Sequence, residues 1–187
     1  MYHVRMDQET VKRLYDYDPA GFLVPRTGRH KGRKVGHTDR EGYVRISSQR
    51  RKYYAHRLIW TWHHGEPPRL LDHINRNRAD NRIENLRACT EAQNAANAKA
   101  PSHNTSGYRG VYFDKDRDKW VARIRFTIDG VRHRRRIGRF DTADEAAIAY
   151  NLHIVQYFKE FALLNPVDTP LGRLMGMDTE SLNAVKL

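Results

Sequence analysis

The sequence predicts an α+β fold in two parts, and three observations carry that expectation. Residues 70–97 place an apolar pair, a polar loop, a second short apolar run and then a helical pattern in succession, which reads as strand, loop, strand and helix. Residues 107–154 alternate apolar and polar positions around Asp129-Gly130, a two-residue hairpin signal, and end in a capped helix. Between them, residues 101–106 open with Pro101 and stay polar, which breaks the helical pattern. The expected division is residues 1–100, a linker at 101–106, a second module at 107–165 and a tail at 166–187.

In chain order, Val11, Leu14 and Tyr15 recur at helical spacing within 7–16, and Pro19-Ala20-Gly21 turns the chain into the apolar run Phe22-Leu23-Val24. Residues 26–36 form a basic, glycine-rich loop. Tyr43, Arg45 and Ser47 alternate with Val44 and Ile46, the pattern of a half-buried strand, and Arg50-Arg51-Lys52 makes a basic turn. His56 to His64 reads as a helix with Leu58, Ile59 and Trp62 inward and Gly65 stopping it. Leu70-Leu71 and Leu86–Cys89 are the two strands of the next unit, and Thr90 with Gln93 makes a capping box for a helix running to Ala100.

Composition limits the partners. Lys and Arg number 34 against 22 Asp and Glu, a net +12 with a pI near 10.0, which favours a polyanion because each neutralised phosphate releases counterions. No apolar run reaches the roughly 18 residues of a membrane span, and the N-terminus is too polar for a signal peptide. One cysteine excludes an internal disulfide and fits a reducing cytoplasm. Cys89 with His63 and His64 is a poor zinc set for want of a paired cysteine, so these are expected to be structural.

The residue types of the 70–97 unit suit metal-assisted phosphodiester cleavage. Asp72 and His73 are adjacent, with Asn85 twelve and Asn94 twenty-one residues after His73. An imidazole with an ordinary pKa of about 6.5 accepts a proton near neutral pH. A carboxylate and an amide oxygen are hard ligands for Mg²⁺ or Mn²⁺. The competing reading of each residue alone is a turn that satisfies its own backbone. Asn81 is a further candidate for a supporting role.

The stretches D-H-I-N and D-N-R-I-E-N-L, preceded by H-R-L-I-W and G-E-P-P, resemble the His-Asn-His (HNH) endonucleases of the ββα-metal type, especially the phage and intron-encoded homing branch. The resemblance spans roughly residues 10–100. It implies that His73 is the general base, that Asp72 and Asn94 hold one divalent cation, and that Asn85 locks the loop and orients His73. It further implies a site-specific homing enzyme acting on double-stranded DNA, in the host cytoplasm if phage-encoded.

The second module is expected to be a three-stranded antiparallel sheet packed on one helix. Trp120, Ala122, Ile124, Phe126 and Ile128 alternate inward and Val121, Arg123, Arg125 and Thr127 outward. A tight turn at Asp129-Gly130 pairs Ile128 with Val131, Arg125 with Arg134 and Arg123 with Arg136. Like charges directly opposite are unfavourable unless an anion lies over them. Gly107 to Phe140 holds eleven Lys or Arg against four Asp, more than half of the net +12. Thr142 and Glu145 cap a helix whose Ala143, Ala146, Ala147, Tyr150 and Ile154 share a face, and 157–165 is a short extension that packs back on the sheet.

The motifs Y-R-G-V, W-V-A-R-I-R and I-G-R-F-D-T-A-D-E-A-A-I-A-Y-N resemble the Apetala-two (ethylene-response-factor) DNA-binding domain. That resemblance implies DNA contacts from Arg109, Arg123, Arg125, Arg134, Arg136 and Arg139. This chain departs from the family at Arg123 and Arg136, so the family's target sequence does not transfer. The alternative to an enzyme is a non-catalytic DNA-binding regulator built on the same two parts. RNA binding is less favoured, because the outward face offers arginines rather than stacking aromatics. The oligomeric state is left open by the sequence.

Overall fold

The computed structural model describes residues 6–98, 104–128 and 130–167. The chain divides into two compact units, residues 1–89 and 90–187.

In the first unit, helix α1 (Gln8–Leu14) starts where the Asp7 carboxylate accepts from the Thr10 N–H, and it buries Val11 completely. Strands β1 (Tyr15–Asp18) and β2 (Phe22–Pro25) form a hairpin, as the turn at Pro19-Ala20-Gly21 predicts. A meander follows: β3 (His37–Thr38), β4 (Val44–Ser48) and β5 (Arg51–Tyr54), in the order β3-β4-β5. Helix α2 (Ala55–His64) buries Leu58 and Ile59 and stops at Gly65, whose φ of 85° suits a residue without Cβ. These apolar groups meet Val11, Tyr15, Leu23, Ile46 and Leu86 in one core. Against that core lies the pair β6 (Leu71–His73) and β7 (Leu86–Ala88), with a single 3-10 turn at Ile83–Asn85 between them.

The second unit opens with helix α3 (Glu91–Ala96), where the expected capping box is complete: the Thr90 hydroxyl accepts from Gln93 N–H and the Gln93 amide oxygen from Thr90 N–H. The helix ends at Ala96 rather than Ala100, and Asn97 caps it. The reason is tertiary. Arg109 donates to the carbonyls of Ala95, Ala96 and Ala98, and Leu163 N–H donates to Ala96 C=O at 3.1 Å, so the last orphan carbonyls are satisfied there.

Strands β8 (Val111–Asp114), β9 (Lys119–Ile128) and β10 (Val131–Phe140) make an antiparallel sheet in the order β10-β9-β8, and helix α4 (Ala143–Phe158) packs on it. The hairpin register is the expected one, with Ile128 opposite Val131, Arg125 opposite Arg134 and Arg123 opposite Arg136. Ala146, Ala147, Tyr150 and Ile154 are buried, and Gly110 leaves the space that the Tyr150 ring fills. Tyr157 and Phe158 end α4 and meet Phe126 on the sheet, while the extension beyond turns back onto α3 and α4, with Phe161 buried and Asn165 clamped to Arg109 and Asn151 by four hydrogen bonds. Most of the tail at 166–187 and the first half of the linker, residues 101–103, lie outside the described residues.

Candidate functional site and nucleic-acid interface

Strand β6 ends in Asp72 and His73, which expose only 6% and 4% of their surfaces. His73 Nε2 lies 3.0 Å from the Asn81 amide oxygen, and the Asn81 Nδ2 donates to the Ala79 carbonyl at 3.2 Å. The second bond fixes which way the amide points, so the imidazole must donate from Nε2 and its neutral form carries the lone pair on Nδ1. Burial lowers the His73 pKa, with the Asn81 bond and the Asp72 and Asp80 carboxylates opposing it. Burial thus disfavours the charged imidazolium.

One expectation about this ring is corrected. Asn81, not Asn85, orients His73. Asn85 does lock the loop: its Oδ1 accepts from Asn75 N–H at 3.0 Å, and its Nδ2 donates to Asn75 Oδ1 at 3.0 Å and to Asp80 C=O at 2.7 Å. The reason is reach, since Asn85 sits in the 3-10 turn and closes the loop's neck while Asn81 sits across from the ring. The imidazole is also deeper than an open general base would be, because His56 and Tyr43 pack on it with ring centroids 5.2 and 6.1 Å away and Arg78 lies 4.6 Å over Tyr43.

Asp72 is held from the neighbouring strand. Arg87 Nε and Nη2 donate to Asp72 Oδ2 at 2.9 and 2.8 Å, and the two residues are register partners in the β6–β7 pair. Asn94 lies on α3 with its side chain exposed. No cluster of three or more His, Cys, Asp or Glu suited to a metal occurs among the described residues. Cys89 is half-buried, and that burial pushes its thiol up to about 11, which fits a structural role.

Sequence reasoning missed two residues beside this site. His56 is buried, its Nδ1 has no hydrogen-bond partner among the described residues, and burial pulls its pKa down to about 3. Gly21, at φ 86°, lets the β1–β2 turn touch the His73 loop: a Cβ there would stand 2.6 Å from Arg82 N and 2.8 Å from Asn81 C. A glycine after Asp-Pro-Ala signals a turn, and nothing local says which strand it must clear.

In the second unit the arginines expected to meet DNA divide into two groups. Arg123, Arg125, Arg134 and Arg136 are register partners on one face, away from Ile124 and Phe126. The register shift between Arg136 and Gly138 puts Arg139 opposite Val121, and so on that same face, where strict alternation would have turned it over. Arg139 also lies 3.6 Å from Asp114. Arg125, Arg134 and Arg136 are exposed, while Arg123 is half-buried with its guanidinium 4.6 Å over the Tyr112 ring. Val121, expected outward, is on this face yet fully buried, flanked in register by Tyr112 and Arg139. Arg109 differs from the rest: its guanidinium caps α3, so that expected DNA contact is replaced by an internal one.

Residues 53–96 match the family described as HNH endonuclease, which places an HNH endonuclease domain from β5 through α3. The chain is 32% identical over 80 residues to Protein 3.8 of Escherichia phage T7, covering 42% of this chain and 64% of that protein. It is 33% identical over 132 residues to an uncharacterized HNH endonuclease of Acanthamoeba polyphaga mimivirus, covering 69% of this chain and 65% of the relative. The chain thus spans just under two thirds of the length of these relatives. No solved structure matches it. No helix among the described residues is long and apolar enough to cross a membrane.

Proposed function

We propose that this chain is a DNA endonuclease of the homing type, with His73 as general base and the arginine face of β9 and β10 holding the duplex in the manner of an Apetala-two domain. The observation that carries the reading is His73, its ring held by Asn81 and adjacent to Asp72, inside the segment that matches the HNH family. In this reading the His73 imidazole, oriented through Nε2 by Asn81, is the group that takes the proton from water. Arg87 fixes the Asp72 carboxylate through Oδ2.

For the one hard cation, Mg²⁺ or Mn²⁺, that the family resemblance implies, the Asp72 carboxylate and the Asn94 amide are oxygen donors of the right type, and phosphate and water would complete its coordination. Such an ion, when bound, stabilises charge on the phosphate and on the leaving oxygen. Asn85 keeps the 75–85 loop closed. Because His73 is 4% exposed, cleavage requires that DNA binding open the ring to a water.

The second reading is a DNA-binding regulator that no longer cuts. The depth of His73 and the Arg87 bonds on Asp72 favour it. Nicking of supercoiled plasmid with Mg²⁺ or Mn²⁺ separates the two. The enzyme nicks, and His73→Ala abolishes nicking while DNA binding persists; absence of nicking by the intact protein under every metal tried leaves the regulator.

A further inference from the structure

The first unit carries a basic feature that neither the cleavage site nor the arginine face uses. Strands β4 and β5 pair with Ser48 opposite Arg51, so Gln49 and Arg50 alone form the hairpin loop. Both have positive φ, 49° and 61°. A two-residue loop with both residues in that region is the type I′ turn, in which Asn-Gly or Asp-Gly is the favoured pair because L side chains are strained there. A Gln-Arg pair therefore keeps strain that Asn-Gly would remove, and it keeps a cation at the tip.

The tip is charged and open. Gln49, Arg50, Arg51 and Lys52 are all exposed, and among the described residues no carboxylate pairs with Arg50, Arg51 or Lys52. By contrast Arg45, on the same sheet, is bound to Asp39 at 2.9 Å. A second basic segment precedes β3. His37 pairs with Arg45 antiparallel, so the chain entering β3 comes from the side of Ser48. That chain is the 26–36 loop, whose Arg29, Lys31 and Arg33 are exposed, while backbone bonds from Lys31 to Gly28 and Arg33 to His30 set its turns. Arg26 and Lys34 are instead paired with Asp16 and Asp18.

We infer that the β4–β5 tip is a second DNA-binding surface that grips backbone phosphates of duplex DNA. Point charges on flexible stems, without an aromatic at the tip, suit phosphate rather than base readout. The surface raises affinity for any sequence and leaves target choice elsewhere. This inference rests on the DNA reading above and adds to it a contact made by the first unit.

The test measures duplex binding by the full chain across a salt series, for the intact protein and for the triple variant Arg50→Ala, Arg51→Ala, Lys52→Ala. Each lost phosphate contact lowers the slope of log affinity against log salt by about 0.9, so the triple variant should lose a slope of roughly 2–3. Its ranking of different duplex sequences should not change. Arg40→Ala, in the turn at the opposite end of the same sheet, is the control and should leave the slope as it is. A second variant, Gln49→Asn with Arg50→Gly, should melt roughly 2–4 °C higher as the turn relaxes, and bind duplex more weakly.

An unchanged slope in the triple variant overturns the inference, as does a turn variant that binds as tightly as the intact chain. If the intact chain shows no salt-dependent binding to duplex at all, the DNA reading itself fails.

Discussion

The two units hold their polar residues in opposite ways. Around His73 nearly every polar group is fixed by another: Asn81 holds the imidazole, Arg87 the carboxylate, and Asn85 the loop. On the sheet of the second unit, register alone aligns Arg125 with Arg134 and Arg123 with Arg136, and Arg125, Arg134 and Arg136 reach solvent. Groups that do chemistry need fixed geometry, whereas groups that meet a polyanion gain from remaining hydrated and mobile until it arrives. Substitutions around His73 should therefore act on rate, and substitutions on the arginine face of the sheet on affinity.

The largest expected effect is at His73. Loss of a general base costs about 10²–10⁴-fold in rate, so on the proposed role His73→Ala should reduce nicking by that factor with duplex affinity within about twofold. An affinity loss of the same size as the rate loss would erase the proposed contrast. Gly21→Ala comes next. A Cβ 2.6 Å from Arg82 N forces either the turn or the Asn81 loop to move, and the positive φ adds strain, so roughly 2–4 kcal/mol of stability should be lost in chemical denaturation. If the fold absorbs the change, the nicking rate should still fall because Asn81 is displaced from His73.

Acid should also act through the first unit. His56 titrates near 3 when folded and near 6.5 when unfolded, so below about pH 6.5 the unfolded chain binds the extra proton. Stability is then full above pH 6.5 and falls as pH drops, by at most about 1.4 kcal/mol per pH unit. His56→Phe should flatten that acid limb in melts taken from pH 7 to pH 5. The smallest effect is on the sheet. Arg125→Ala with Arg134→Ala should weaken duplex binding roughly tenfold and lower the salt slope by about 2, with no loss of nicking at saturating protein.

Much of the framework was legible locally. Both capping boxes follow from Thr90 with Gln93 and Thr142 with Glu145, because a cap joins residues three apart. The β9–β10 register follows from Asp129-Gly130, since a two-residue loop leaves one pairing for the strands it joins. The site was legible only as residue types. Asn81 and Asn85 are both asparagines in one polar loop, and their chemistry does not say which one faces the ring.

The sequence by itself determined the periodicity of the strands and helices, the turns, the basic charge and the presence of Asp72, His73, Asn85 and Asn94, because each is set by neighbours along the chain or by composition. Only the tertiary structure decided that Asn81 holds His73, that Arg87 pairs with Asp72, that His56 lies against the imidazole and that Arg109 caps α3 instead of facing DNA. Those choices join residues 8 to 17 positions apart. Such contacts depend on how the loop closes and how the elements pack, and no local pattern records that.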